Sequence, residues 1–195
     1  FLFTNRTALE GAPLARMRGI PLVWDAFLSL YDTVARDRRM AAANSWRGRL
    51  LHTVERMACR LADVVVLDTM AHAQLFQTLY GIDQGKLAAA FVGAEADAFA
   101  ALPPTARTKA LPPLVLFYGQ FIPLHGIACI VEAALTDRGR AFAWRVIGQG
   151  QEAARIDALL AGAQADYVER IAWVDYHDLR AAMAEADVCL GIFGT

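Results

Sequence analysis

The sequence contains no uninterrupted apolar run approaching the roughly 20 residues that a membrane-spanning helix requires. Its most apolar neighbourhood, Met57 to Leu67, is broken by Arg60 and Asp63. A spanning helix is therefore excluded there, although the mean hydropathy is +0.32. The charged, then apolar, then small-residue pattern of a secretory signal is also missing. The chain starts at Phe1 without a methionine, and an absent upstream segment is the simpler expectation. Cysteine is scarce. Cys59, Cys129 and Cys189 are odd in number, far apart and set among apolar neighbours, which predicts reduced, buried thiols and a cytoplasmic setting rather than a disulfide framework. His52, His72, His125 and His177 are equally scattered, with no pair at metal-ligand spacing, so no metal is assigned. Net charge is only -1, and nothing general points to nucleic acid.

Charge is nevertheless uneven along the chain. Between Arg36 and Arg60 lie seven arginines (36, 38, 39, 47, 49, 56 and 60) against Asp37 and Glu55, a local excess of five positive charges. Within this region Trp46, Leu50, Val54, Met57 and Leu61 recur at spacings of three and four, the mark of an amphipathic helix with one apolar stripe. Two uses are open. The helix can cover a sheet with its stripe inward, or its basic face can make peripheral contact with anionic membrane headgroups, at the inner face of a membrane.

Short apolar runs alternate with helical stretches from end to end, which predicts an α/β fold with parallel sheets covered by helices. The expected strands are Phe1 to Phe3, Pro21 to Trp24, Val64 to Leu67, Ala89 to Val92, Leu114 to Tyr118, Trp144 to Ile147, Tyr167 to Trp173 and Val188 to Ile192. Several are apolar without alternation, as strands buried on both faces should be. Helices are expected over Ala8 to Arg18, Ala41 to Leu61, Ala71 to Tyr80, Ile127 to Leu135, Glu152 to Leu160 and Asp178 to Ala186. Ala100 to Pro113 breaks the rhythm with two Pro-Pro pairs and reads as a linker between two domains.

Chemistry is expected where strands hand over to helices. Leu114 to Tyr118 runs into Gly119-Gln120-Phe121-Ile122-Pro123-Leu124-His125-Gly126 and then a helix, a corner where helix amides can receive a diphosphate. Gly119 and Gly126 would permit close backbone approach, and Gln120 and His125 could donate to phosphate oxygens. A second junction carries Gly148-Gln149-Gly150. The three-glycine dinucleotide fingerprint is not completed there, because Ala153 stands three residues after Gly150 and no ribose-binding acid is evident. Trp173 and Val174 close a third strand where a flat base could lie, unless Trp173 is a core residue. Asp25, Ser29 and Asp32 form a polar cluster after Pro21 to Trp24 and are acceptor-side candidates. Asp25 would serve equally as a helix cap, and Ser29 and Asp32 as solvated positions.

The order of these elements resembles a known family. Gly119-Gln120-Phe121, His125-Gly126, Glu132-Ala133-Ala134, Val146-Ile147-Gly148-Gln149-Gly150, Trp173-Val174, Leu179 to Ala186 and Asp187-Val188 together resemble the donor domain of group 1 (family four) retaining glycosyltransferases of the GT-B fold. Upstream, Ala62-Asp63-Val64-Val65-Val66-Leu67-Asp68-Thr69, Tyr80-Gly81 and Val92-Gly93-Ala94-Glu95 followed by Phe99 resemble that family's closing acceptor-domain segments. Trp24 to Thr33 resembles a subset of its members. Nearly the whole chain is covered, and the colinearity is more specific than any single motif.

The resemblance implies two Rossmann-like halves: 1–99 as the end of an acceptor domain, 100–113 as the linker, and 114–195 as the first half of a donor domain. It implies transfer of a sugar from a nucleotide-sugar donor to a glycan or lipid-linked acceptor with retention, the nucleotide sugar being substrate and no cofactor being needed. Many members carry an arginine and a lysine on the first donor loop to neutralise the leaving diphosphate. Here Gln120 and His125 stand instead, the first neutral and the second only partly charged near neutral pH. The family's catalytic acidic motif would lie beyond Thr195, so a fragment lacking both ends is expected, and it should be inactive alone. Two other readings are open: a non-catalytic nucleotide- or sugar-binding module of the same fold, and a nicotinamide-dependent Rossmann enzyme.

Overall fold

The computed structural model describes residues 3–96 and 111–194, with side chains from Thr7 onward. The chain divides into two compact units, Phe1–Gly93 and Ala94–Thr195. The expected linker, 100–113, falls mostly outside the described residues.

The first unit runs α1 (Phe3–Arg18), β1 (Val23–Phe27), a short turn α2 (Leu30–Asp32) continued by a π-helical turn (Thr33–Asp37), α3 (Trp46–Leu61), β2 (Val64–Leu67), α4 (Met70–Tyr80) and β3 (Leu87–Ala89). Its three strands are parallel in the order β1-β2-β3. Trp24, Ala26, Val65 and Leu67 point into a core closed by Ala58, Cys59, Phe76 and Tyr80. Helix ends follow local chemistry. Ser45 caps α3 by accepting from Gly48 N at 3.2 Å, and Thr69 caps α4 by accepting from His72 N at 3.2 Å. Gly81 ends α4 in the left-handed conformation.

In the second unit, β4 (Leu114–Tyr118), α5 (Ile127–Ala134), β5 (Ala143–Ile147), α6 (Ala153–Ala163), β6 (Val168–Ile171), α7 (Tyr176–Glu185) and β7 (Val188–Cys189) follow in turn. The parallel sheet has the order β6-β5-β4-β7. One face, carrying Val115, Phe117, Trp144 and Val146, packs on Ile127, Ile130, Val131 and Ile156. The other, carrying Leu116 and Ile147, packs on Ala182 with Leu179 and Met183 beside it. Non-alternating burial along β4 is the signature of a strand covered on both sides.

Several expectations need correction. Phe3 opens a helix rather than closing a strand, because Ala8, Ala12 and Ala15 form a buried stripe that carries one helix along the core; residues 1 and 2 lie outside the described residues. β1 starts two residues later than expected and runs on to Phe27, so Asp25 sits inside the strand and is exposed. α3 begins only at Trp46, where Ser45 satisfies its amides. β3 is displaced to Leu87–Ala89, and β6 ends at Ile171.

The largest correction concerns α3. Its buried face is Gly48, Glu55, Ala58 and Cys59, while Trp46, Leu50 and Met57 are 70%, 53% and 50% exposed. Three of the five residues of the apolar stripe therefore face outward among the arginines, while Val54 and Leu61 are half-buried. Of the three thiols only Cys59 is buried; Cys129 and Cys189 are exposed, the first on the flank of α5 and the second on the outermost strand of its sheet. No described helix is long and apolar enough to cross a membrane.

Candidate functional site

At the carboxyl ends of β4 and β5 the two glycine-bearing loops are laced together. Gly119 N donates to Ile147 O at 3.0 Å, Phe121 N to Gln149 O at 2.8 Å, and Glu152 N to Phe121 O at 3.0 Å. Sheet-like pairing thus continues past both strand ends. A Cβ on Gly148 would sit 1.9 Å from Gly119 O, so this glycine is demanded by its neighbouring loop. Phe121 is fully buried beneath, with Arg170 stacked 4.5 Å from its ring centre. These contacts fix the base of the corner before any ligand arrives.

Above that base the chain turns through Pro123–His125 into Gly126, whose φ of 66° puts it in the left-handed region open to glycine. A Cβ there would also lie 2.5 Å from Gly194 N. The segment after β7 clasps the same turn, with Gly194 N donating to Leu124 O at 3.0 Å and Phe193 N to His125 O at 3.3 Å. α5 starts directly after Gly126, and no side chain caps it. Ile130 N donates back to Gly126 O at 3.2 Å, so the amides of Ile127, Ala128 and Cys129 precede the first intrahelical bond. They carry the positive end of the helix dipole.

The structure brings Gly119, His125 and Gly126 into one corner. The His125 ring lies against Gly119, its Nδ1 being 3.1 Å from where a Cβ on that glycine would stand, and it meets Phe117 edge-on at 6.4 Å. Gln120 is exposed at the same turn. Trp173 is 77% exposed, so it is not a core residue. Val174 packs its side chain against the Leu116 and Ile147 face. Both follow the carboxyl end of β6, the strand beside β5.

In the first unit the three expected acceptor-side residues sit in different surroundings, with Ser29 and Asp32 in direct contact. Asp25 is exposed on β1. Ser29 is only 2% exposed and is a structural cap, its Oγ accepting from Asp32 N at 3.0 Å and donating to Glu55 Oε2 at 2.7 Å. Asp32 is partly buried and pairs with Arg36 at 3.2 Å.

The residue that organises this loop, Glu55, was not anticipated. Fully buried, it accepts from Ser29 Oγ, Leu30 N (2.8 Å), Tyr31 N (3.1 Å) and the Tyr80 hydroxyl. Burial, reinforced by Glu55, pushes the Cys59 thiol up to about 12 and the Tyr80 phenol well above its usual range. A lone acid among the small residues Gly48, Ala58 and Cys59 was the available sign of a buried carboxylate. Beyond β2, Asp68 and His72 form a hydrogen-bonded pair one helical turn apart. Asp37 nearby is raised by burial first and by Asp32 second.

No protein-family model matches the chain, and no curated protein matches it. Solved structures do. The Anabaena protein Alr3699/HepE, determined in complex with UDP and glucose, superposes with a TM-score of 0.69 at 15% identity over 96% of this chain and 50% of its own. Sucrose-phosphate synthase from Thermosynechococcus elongatus gives 0.68 at 18% identity, over 96% and 49%. WaaG, a glycosyltransferase involved in lipopolysaccharide biosynthesis, gives 0.66 at 19% identity, over 87% and 49%. The chain spans about half the length of each. At these identities the likeness establishes the fold, an α/β arrangement of parallel sheets flanked by helices as in GT-B glycosyltransferases.

Proposed function

We propose that the chain is part of a glycosyltransferase that moves a hexose from a nucleotide-sugar donor to a glycan or glycolipid acceptor, with retention at the anomeric carbon. The observation that carries this reading is the uncapped start of α5 beyond the carboxyl end of β4, set on a base already closed by the Gly119 and Gly148 loops. A diphosphate supplies the acceptors that the first amides of such a helix lack. The fold supports the same reading, since HepE carries UDP in its solved complex.

In this reading residues 1–99 are acceptor domain, 100–113 link the halves, and 114–195 begin the donor domain. Gly119, Gln120, His125 and Gly126 contact the diphosphate. Gly148 and Gly150 shape the floor, and exposed Trp173 offers a face for the base, with the Val174 backbone beside it. Asp25 and Asp32 face the acceptor side, and Ser29 holds their loop. The bond from the anomeric carbon to the diphosphate breaks as the acceptor oxygen bonds to that carbon on the same face. The hydroxyl proton passes to the departing phosphate oxygen. The protein's part is to orient both substrates and stabilise the leaving charge. No cofactor takes part.

The outward stripe of α3 adds a location. Trp46, Leu50 and Met57 stand exposed beside Arg47, Arg49, Arg56 and Arg60, the composition of a helix lying in the interface of an anionic bilayer. We read the protein as cytoplasmic and peripheral at such a surface.

Calorimetric titration with UDP tests the nucleotide site. His125→Ala is expected to weaken binding about tenfold, the loss of one hydrogen bond to a charged group. Unchanged affinity in the variant removes His125 from the site, and no binding of UDP by the unmodified protein removes the nucleotide reading itself.

A further inference from the structure

Phe27 ends β1 with φ at 60°, a region that bulky residues avoid. The pairing of β1 with β2 slips between Asp25 and Phe27, and Leu28 N donates to Ala26 O at 2.6 Å, closing a γ-turn around Phe27. Strain of this kind persists only where the surroundings hold it, and it gathers at ligand sites. Here Asp68 N donates to Phe27 O at 2.9 Å, and Glu55 takes the amides of Leu30 and Tyr31 immediately downstream.

The product is a pocket of about 280 Å³ at the carboxyl end of β1, with Phe27, Leu30, Val34 and Met40 in its walls and Thr33 and Arg38 supplying its polar edge. Its lining decides what can enter. Ala26, Phe27, Leu28, Leu30, Val34 and Met40 make the walls apolar, which suits part of a hydrocarbon chain. Its charge suggests what the chain is attached to. Over residues 32–39 three arginines (36, 38 and 39) stand against two aspartates (32 and 37), a local positive excess, and Arg38 lines the pocket itself. Met40, 67% exposed at the pocket, is followed within six residues by Trp46, where the outward apolar stripe of α3 begins.

We propose that this pocket receives the hydrocarbon next to the phosphate of a single-chain lipid phosphate, the anchor of the acceptor, with Arg38 at the phosphate. This deepens the acceptor half of the glycosyltransferase reading and rests on it for the word acceptor. Binding of the lipid phosphate itself does not depend on the nucleotide site.

The probe is farnesyl phosphate, below its aggregation threshold, titrated into the protein carrying methyl-labelled methionine, with farnesol and inorganic phosphate as separate arms. The expected result is a saturable shift of the Met40 methyl with farnesyl phosphate, weaker binding of farnesol and none of phosphate. Val34→Trp, which fills the pocket, and Arg38→Gln, which leaves its walls intact, should each weaken farnesyl phosphate at least tenfold while UDP affinity stays the same. Absence of a saturable Met40 shift, or undiminished binding in Arg38→Gln, overturns the proposal even if Val34→Trp fails to fold. UDP binding without farnesyl phosphate binding defeats only the lipid site; the reverse defeats only the nucleotide site.

Discussion

The loops after β1 and after β4 leave the carboxyl ends of two parallel sheets, yet they treat their polar groups in opposite ways. After β1, four donors converge on the buried Glu55 carboxylate, and the loop is satisfied from within. After β4, the loop backbone is laced to its neighbour, but the helix that follows is uncapped. The difference separates a loop that offers a ligand an apolar pocket from one that offers it backbone donors. A polar group already paired inside the protein holds a shape, whereas oriented donors left at the end of a pre-formed corner are where a ligand can add something.

The sharpest way to break this contrast is to remove the clasp. Glu55→Ala leaves the buried Ser29 and Tyr80 hydroxyls and two amides without their acceptor. It should lower the stability of the first unit by about 3 kcal/mol or more, seen in urea denaturation as an early transition. Glu55→Gln should also destabilise, by about 1–3 kcal/mol, because its NH₂ group confronts groups that are themselves donors. A Gln variant as stable as the unmodified protein would show that a carboxylate is not needed there. A smaller effect is expected at α3. Trp46→Ala should weaken partition onto vesicles containing anionic phosphatidylglycerol by roughly tenfold, about the burial of one large apolar side chain, and leave the unfolding transition unmoved. Equal binding to neutral vesicles, or a loss of stability, would mean that the stripe is not a membrane face.

How far the fold was legible depended on what held each element. Val64–Leu67 and Leu114–Tyr118 matched their expected bounds, since each is an unbroken apolar run buried by its own sheet. β1 ran past its expected end because Phe27 still pairs with Leu67 beyond the bulge, its carbonyl taking Asp68 N, and no local pattern carries that. α3 was turned around because its inward face is built from Gly48, Ala58 and Cys59, residues small enough for close packing and too small to dominate a hydrophobic pattern. A Cβ on Gly48 would come within 2.6 Å of Ala43 O, which shows how near the chain lies. At the β4 corner, residue order was enough to foresee that Gly119, His125 and Gly126 would share a turn. The lacing of that turn to Gly148 and Gly150 was not foreseen, since glycine pairs in sequence do not say whether they admit a ligand or a neighbouring strand.

Amide hydrogen exchange at Ile127, Ala128 and Cys129, followed residue by residue with and without saturating UDP, addresses the nucleotide corner most directly. Exchange slowed at least tenfold at these three amides, with the Leu30 and Tyr31 amides unchanged, is the expected result. Identical rates at the start of α5 in the two conditions would contradict it.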